Sequence, residues 1–405
     1  MSHTLILGGG ADQVPLIREA ISFGLKTIVV DVNNECPGRE LSDLFIHESN
    51  RNVNAILQTI KKMGVEREIT SVLVIGSDIP HIAREISDQL GLNYWMSDYA
   101  ATVSTNKLKM KSFLNENKIL TASHQVVLTL ESIMQILSSS KSKKIIKPQE
   151  AAGSRGVFLI DYQVLTDEEI FKIYRDCLKF CNDKPPILED YIEGQQLSVE
   201  ALILNSEPQI YGYALRNYEM NSTFAPQIIE NGGLQPYPNA FDKVEEIKII
   251  IKNLCLGLGL KKGVIKLDLV IDTVTKRIYV IEFALRLSGG NFSSDIIPKS
   301  LNVNLLQDYL SMVYDQEVQI FNFQNYEKLY ANRYLFREGV IGTDVSIDHN
   351  YVEYTEILNK PGGYIDRIRT HGDRAAWFLV SGDNVDEVEG KIDAVYKKYN
   401  RYKKY

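Results

Sequence analysis

The first hundred residues alternate short apolar runs with stretches of helical period. "TLILGG" reads as a strand, and "VPLIREAISFG" repeats its apolar positions every three to four residues up to Gly24. "KTIVVDV", carrying Asp31, is a second strand, and "NVNAILQTIKKMG" a helix closed by Gly64. "ITSVLVIGSD" and "IPHIAREISDQLG" repeat the pair. Strands separated by such helices predict parallel βαβ units. The pattern then changes. "STNKLKMKSFLNENKI" is a mixed helix, "SKKIIKPQEAAGSRGVFLI" two strands around a loop of small residues, and "PPILEDYIEGQQLSVEALIL" two strands around a turn. "IYGYALRNYEM" continues the β character, "NGGLQPYPN" is a loop, and "VEEIKIIIKNLCLGLG" is a helix. Two apolar runs then fill residues 264–286. Short β runs ("KLYANRYLF", "AAWFLVSG") and a closing helix, "NVDEVEGKIDAVYKKY", follow. The chain of 405 residues is too long for one core. The pattern divides it into a parallel α/β domain over 1–105, an α+β region over 106–310, and a β-rich part with a closing helix over 311–405.

The two runs in "VIKLDLVIDTVTKRIYVIEFALRLSGG" carry the chemistry. Alternation puts Lys266 and Asp268 on one face of the first strand, with Ile265, Leu267 and Leu269 on the other. Glu282, Ala284 and Arg286 share a face in the second. The short polar connection predicts a hairpin, and pairing Asp272 with Ile278 sets Asp268 opposite Glu282. Directly opposed carboxylates repel. A cation between them removes the conflict, and a hard ion such as Mg²⁺ takes carboxylate and phosphate oxygens together. Lys266 and Arg286 then flank the ion with charge suited to a phosphoryl group. A half-exposed hairpin with charges facing water is the plain alternative.

Two other segments are compatible with a nucleotide. Lys147 ends a strand and is followed by Ala151, Ala152, Gly153, Ser154 and Gly156, which can bring backbone N–H groups close to phosphate oxygens. No helix follows this loop, so it is not a Walker A motif. In "ILEDYIEGQQ", a strand leaving one domain for another offers Glu189, Tyr191 and Ile192 to a flat base. At the first strand end, "LGGGADQ" suggests a substrate site near Gly9, Gly10 and Gln13, with Asp78 in "IGSDIP" a weaker candidate; a tight strand-to-helix turn is the alternative. The polar stretch "RNYEMNSTFAPQIIENGGLQP" is expected to face substrate.

Composition narrows the partners. Net charge is −7, and the only basic run is the final "YKKYNRYKKY", so a nucleic-acid partner is not expected. Cys36, Cys177, Cys181 and Cys255 lack ligand spacing, and their scarcity fits a reducing compartment. With neither a signal-peptide pattern nor a long apolar run, a cytoplasmic protein without a membrane partner is expected.

Taken together and in order, these segments resemble the ATP-grasp superfamily, across most of the chain. The nearest branch is the carboxylate–amine ligases akin to formate-dependent glycinamide ribonucleotide transformylase and biotin carboxylase. The resemblance implies a two-lobed nucleotide-binding region over 106–310 with a lid at about 106–190, a C-terminal cap over 311–405, and roles residue by residue. Lys107 and Lys147 meet ATP phosphates. Gly153, Ser154, Arg155 and Gly156 belong to the loop closing over the triphosphate. Glu189, Tyr191 and Ile192 lie at the adenine hinge, and Gln196 stands where an acidic residue often holds the ribose. Asp268 and Glu282 bind metal, Arg286 steadies an acyl phosphate, and Lys266 takes the place of a basic residue found in one branch. Most members carry Asn two residues after the second carboxylate, where this chain has Ala284, which puts a second metal ion in question.

The implied activity is an ATP-dependent ligase joining a carboxylate to an amine through an acyl phosphate, with Mg²⁺ (Mn²⁺ as a substitute), small-molecule substrates and a possible homodimer. An ATP-grasp kinase or a non-catalytic nucleotide-binding protein is the alternative. An NAD(P)-dependent oxidoreductase fits less well, since "GGGADQ" lacks the G-x-G-x-x-G spacing.

Overall fold

In a computed structural model of the protein, the described residues are 2–140, 142–151 and 153–404. Ala152, part of the small-residue loop, lies outside them. The described residues fold into three sheets. Strands β1 (His3–Leu7), β2 (Lys26–Asp31), β3 (Leu44–His47) and β4 (Ile69–Leu73) form a parallel sheet in the order β3–β2–β1–β4. Leu5, Ile6, Ile28 and Val29 are fully buried, as strands covered on both faces require. Helices Val14–Ser22, Val53–Met63 and Pro80–Gln89 supply the connections expected from the sequence.

The lid is an antiparallel sheet of β5 (His124–Val126), β6 (Lys144–Lys147), β7 (Phe158–Ile160) and β8 (Ile187–Asp190), ordered β5–β8–β6–β7. Helices Leu130–Ser140 and Asp167–Leu178 close its separate core around Ile133, Ile146, Ile170 and Cys177. Cys177 and Cys181 are buried free thiols there, as two small apolar residues one turn apart would be.

The remaining strands form one ten-stranded sheet: β9 (Gly194–Leu204), β10 (Glu207–Arg216), β11 (Gly233–Gln235), β12 (Gly263–Asp272), β13 (Ile278–Ala284), β14 (Leu329–Val340), β15 (Tyr354–Ile357), β16 (Tyr364–Ile365), β17 (Arg374–Gly382) and β18 (Tyr402–Lys404). Its path is β13–β12–β9–β10–β11–β14–β17–β15, with β16 and β18 paired to β14. The three-residue β11, inside the expected loop "NGGLQPYPN", pairs with both β10 and β14. The strands on either side of residue 310 therefore share one sheet.

Residues after β13 dock on the N-terminal domain. Gly76 N donates to Leu287 O at 3.1 Å, and Gly290 N to Asp12 Oδ1 at 2.8 Å. A Cβ on Gly289 would sit 2.6 Å from Asp12 Oδ2 and 3.1 Å from Gly76 Cα, so this approach requires glycine.

Candidate active site

The β12–β13 hairpin forms with its charged and apolar faces as the alternation requires. Ile265, Leu267 and Leu269 are buried, while Lys266 and Asp268 face a cleft. The register holds a surprise. Near the turn Ile271, not Asp272, pairs with Ile278. An irregularity then skips Ile281, since Leu269 pairs with Val280 but Asp268 with Glu282. The bulge restores the opposition of the two carboxylates and lets both side chains share one face.

Each carboxylate is held by an ammonium group. Lys266 ion-pairs with Asp268 on its own strand, and Lys107 Nζ lies 3.4 Å from Glu282 Oε2. Burial alone would raise the Glu282 pKa. Lys107, Lys147 and Lys266 outweigh it and bring the group down to about 2, although 37 % of the side chain reaches water. Lys107 opens the helix Lys107–Glu116, whose preceding Asn106 accepts Lys109 N at 2.9 Å. Its ammonium also donates to Ala151 O at 2.8 Å, tying the helix to the loop after β6.

A second alternation of charge lies behind the first. Lys147, at the end of β6, is 2.5 Å from Glu189 Oε1, and Lys111 is 2.9 Å from Glu189 Oε2. All three groups are buried. Lys111 also donates to Thr121 Oγ1 at 2.7 Å, which donates in turn to Val280 O of β13. Desolvation pulls Lys111 down to about 8 against the attraction of Glu189. Glu189 is itself held below the usual carboxylate range: burial raises it, and Lys147 and Lys111 prevail. The carboxylate expected at the hinge thus points inward and anchors two lysines. Tyr191 and Ile192 follow on the crossover to β9, with Tyr191 N donating to Lys143 O at 3.0 Å. Gln196 lies on β9 beside Val270.

The small-residue loop makes a turn over 153–156, with positive φ at Gly153, Ser154 and Gly156. Gly153 and Arg155 are exposed and Gly156 is buried. The Ser154 hydroxyl reaches across to His371 Nε2 of the C-terminal region at 3.1 Å. Arg286 follows β13, and its Nε and Nη2 lie 2.6 and 2.5 Å from Asp78 Oδ1. The weaker sequence candidate, Asp78, is therefore the partner of Arg286. Gly9 N donates to Asp31 Oδ2 at 2.7 Å, and Gly10 N to Gln13 Oε1 at 3.1 Å. Gln13 Nε2 donates to Ile75 O at 2.8 Å. Gln13 is buried, and one hydrogen bond at each end of its amide braces the loop.

Some charged residues at the cleft were not picked out from sequence. Glu200 on β9 faces Lys266 across the strands. It is fully buried and accepts Ser288 N at 3.0 Å and Ser293 Oγ at 2.7 Å, and burial raises its pKa. Arg216, Glu230 and Arg374 gather beside Lys266 and Asp268 from segments far apart in the chain. "RNYEMNSTFAPQIIENGG" was expected to face substrate, but no local spacing marks these charges.

The geometry suits a polyphosphate. Lys107, Lys147 and Lys266 lie around two opposed carboxylates next to a glycine-rich loop. No group of three or more His, Cys, Asp or Glu side chains placed to hold a metal occurs among the described residues. Asp268 and Glu282 fit a divalent ion as a pair, because each already requires a cation and their neighbours leave the remaining coordination to phosphate or water.

Residues 104–290 match the family model described as an ATP-grasp domain. A phosphoribosylamine–glycine ligase from Helicobacter pylori strain J99 is 29 % identical over 151 residues, covering 36 % of this chain and 33 % of that protein. A formate-dependent phosphoribosylglycinamide formyltransferase from Prochlorococcus marinus is 22 % identical over 267 residues, 63 % of this chain and 62 % of that protein. The matches thus span about a third and just under two thirds of these relatives. The crystal structure of an L-amino acid ligase from Bacillus licheniformis superposes with a TM-score of 0.77 at 16 % identity, covering 98 % of each chain. By the order of its motifs and the match over residues 104–290, this part of the chain is similar to an ATP-grasp domain.

Proposed function

We propose that this chain is an ATP-dependent ligase that joins a carboxylate to an amine through an acyl phosphate, releasing ADP and phosphate. The observation that carries the reading is the Asp268–Glu282 pair, opposed across a bulged hairpin and ringed by Lys107, Lys147 and Lys266.

A free carboxylate is a poor electrophile because its oxygen leaves badly. Transfer of the γ-phosphoryl group supplies a good leaving group, and that transfer needs positioning and charge neutralisation more than covalent help. Lys147 and Lys107 would hold the triphosphate oxygens, with Lys147 fixed in place by Glu189. Asp268 and Glu282 would hold a divalent ion, Mg²⁺ or Mn²⁺ in its place. When bound, that ion neutralises charge on the phosphate oxygens. Ala284 offers no further ligand, so these residues fit one ion better than two. Arg286 would turn from Asp78 to the acyl phosphate. Residues 153–156, already touching His371, would keep water from it. Tyr191, Ile192 and Gln196 would meet the adenosine. The substrates are small molecules; no described helix is long and apolar enough to cross a membrane.

The test is phosphate release from Mg²⁺-ATP with paired amino acids, short carboxylates and amino sugars. Release that needs both a carboxylate and an amine supports the ligase. A phosphorylated product without an amide refutes it in favour of a kinase.

A further inference from the structure

A second charged cluster lies beside the paired carboxylates, and the chemistry above does not use it. Arg216 ends β10, Glu230 precedes β11 and Arg374 opens β17. Arg216 Nη1 is 3.3 Å from Glu230 Oε1, and Arg374 Nη2 is 3.8 Å from the same oxygen while donating to Glu230 O at 2.5 Å. One carboxylate thus serves two guanidinium groups. The Arg374 guanidinium lies over the Tyr334 ring, 3.9 Å from its centroid, which fixes its plane. Arg374 is 8 % exposed, and its Nε–H is buried without an acceptor. The Arg216 guanidinium donates no hydrogen bond among the described residues, yet 21 % of its side chain still reaches water. A guanidinium has five N–H donors, so those of Arg216 that reach water are available to a ligand.

Arg216 and Arg374 share a single carboxylate, Glu230, so this trio carries one positive charge in excess. His371, which also faces this group, stays neutral at physiological pH: burial first, then Arg374, pushes it down to about 3. An excess of one charge, offered by planar forks, matches a monoanionic carboxylate better than a phosphate dianion.

We propose that Arg216 and Arg374 bind a carboxylate that passes through the reaction unchanged, so that one substrate carries an acidic group besides the carboxylate that is activated. The class is an amine with its own carboxylate, or a dicarboxylic acid. This rests on the ligase reading, because the cluster adjoins the proposed acyl-phosphate position. Ser154 of the loop over 153–156 meets His371, whose Nε2 also lies 3.5 Å from Glu230 N of this cluster.

The test uses the full chain with AMP-PNP and Mg²⁺, followed by thermal shift. AMP-PNP is titrated first. Failure to bind it would sink the ligase reading alone, and the anions would then be titrated against nucleotide-free protein. Succinate and inorganic phosphate are the probes. We expect succinate to stabilise the wild type and Arg216→Gln to weaken that binding tenfold or more, with AMP-PNP affinity unchanged. Arg216→Lys, which keeps the charge but loses the fork, should fall between them and guards against misfolding of the glutamine variant. Equal succinate affinity in all three proteins overturns the proposal, as does the absence of succinate binding to the wild type. Tighter binding of phosphate than of succinate overturns the carboxylate assignment.

Discussion

Glu189→Gln isolates the buried charge that positions Lys147. The substitution keeps the shape of the side chain but leaves Lys147 and Lys111 facing each other without their counter-ion. Removing one partner of a buried ion pair costs about 3–5 kcal/mol, a large part of the roughly 5–15 kcal/mol that holds a domain together. The structure provides a relief valve. Lys111 already sits at about 8, so at neutral pH its proton is held by only about one pH unit, or about 1.4 kcal/mol. In the variant Lys111 should lose its proton below neutrality. From there up to pH 8, its folded form binds fewer protons than its unfolded form, so variant stability rises with pH. Wild-type Lys111 is largely charged in both states up to about pH 7 and titrates only as the pH approaches 8. The deficit measured by chemical denaturation should therefore narrow by up to about 1.4 kcal/mol per pH unit between pH 6 and 7, then level off towards pH 8. A loss below about 1 kcal/mol, or one that does not change with pH, would refute this picture of the buried charges.

Other expectations follow from individual contacts. Lys147→Ala should raise the ATP concentration needed for half-maximal phosphate release at least tenfold; an unchanged requirement removes Lys147 from the nucleotide site. Gly289→Ala should push residues 286–290 off Asp12 and Gly76, lowering the denaturation midpoint by an amount equivalent to about 1–3 kcal/mol; a wild-type midpoint would show that the junction is loose. For His371 the folded pKa of about 3 lies below its ordinary value of 6.5. The unfolded chain binds more protons between the two, so stability should fall as pH drops from about 6.5 towards 3. His371→Gln should flatten that part of the curve, and an unaltered slope would place the pH dependence elsewhere.

Local patterning made the hairpin legible: Lys266 and Asp268 two residues apart on one strand, answered by Glu282 and Arg286 four apart on the next, place Asp268 and Glu282 on a common face. It could not reveal the bulge at Ile281. Bulges depend on neighbouring strands, and here β9 fixes β12 from its other side. The parallel sheet was readable because its apolar runs and helical periods are local. The short β11 was not, because three residues carry no period and its pairing joins segments about a hundred residues apart. Glu189 was found, but not its direction. Alternation along β8 does not say which lysines lie beneath, and Lys111 comes from a helix in another part of the chain. Arg216, Glu230 and Arg374 meet only through tertiary structure. Gln13 is legible as a strand-end residue, but the bonds by which its amide closes the turn are not.

The central claim is that Asp268 and Glu282 together grip a divalent ion that carries the triphosphate. Electron paramagnetic resonance of Mn²⁺, titrated into the protein with AMP-PNP, measures that grip without requiring turnover or a known substrate. Wild-type protein should bind the Mn²⁺–nucleotide pair. Glu282→Gln should bind Mn²⁺ at least tenfold more weakly while melting at the wild-type temperature. Equal Mn²⁺ affinity in the two proteins would contradict the account.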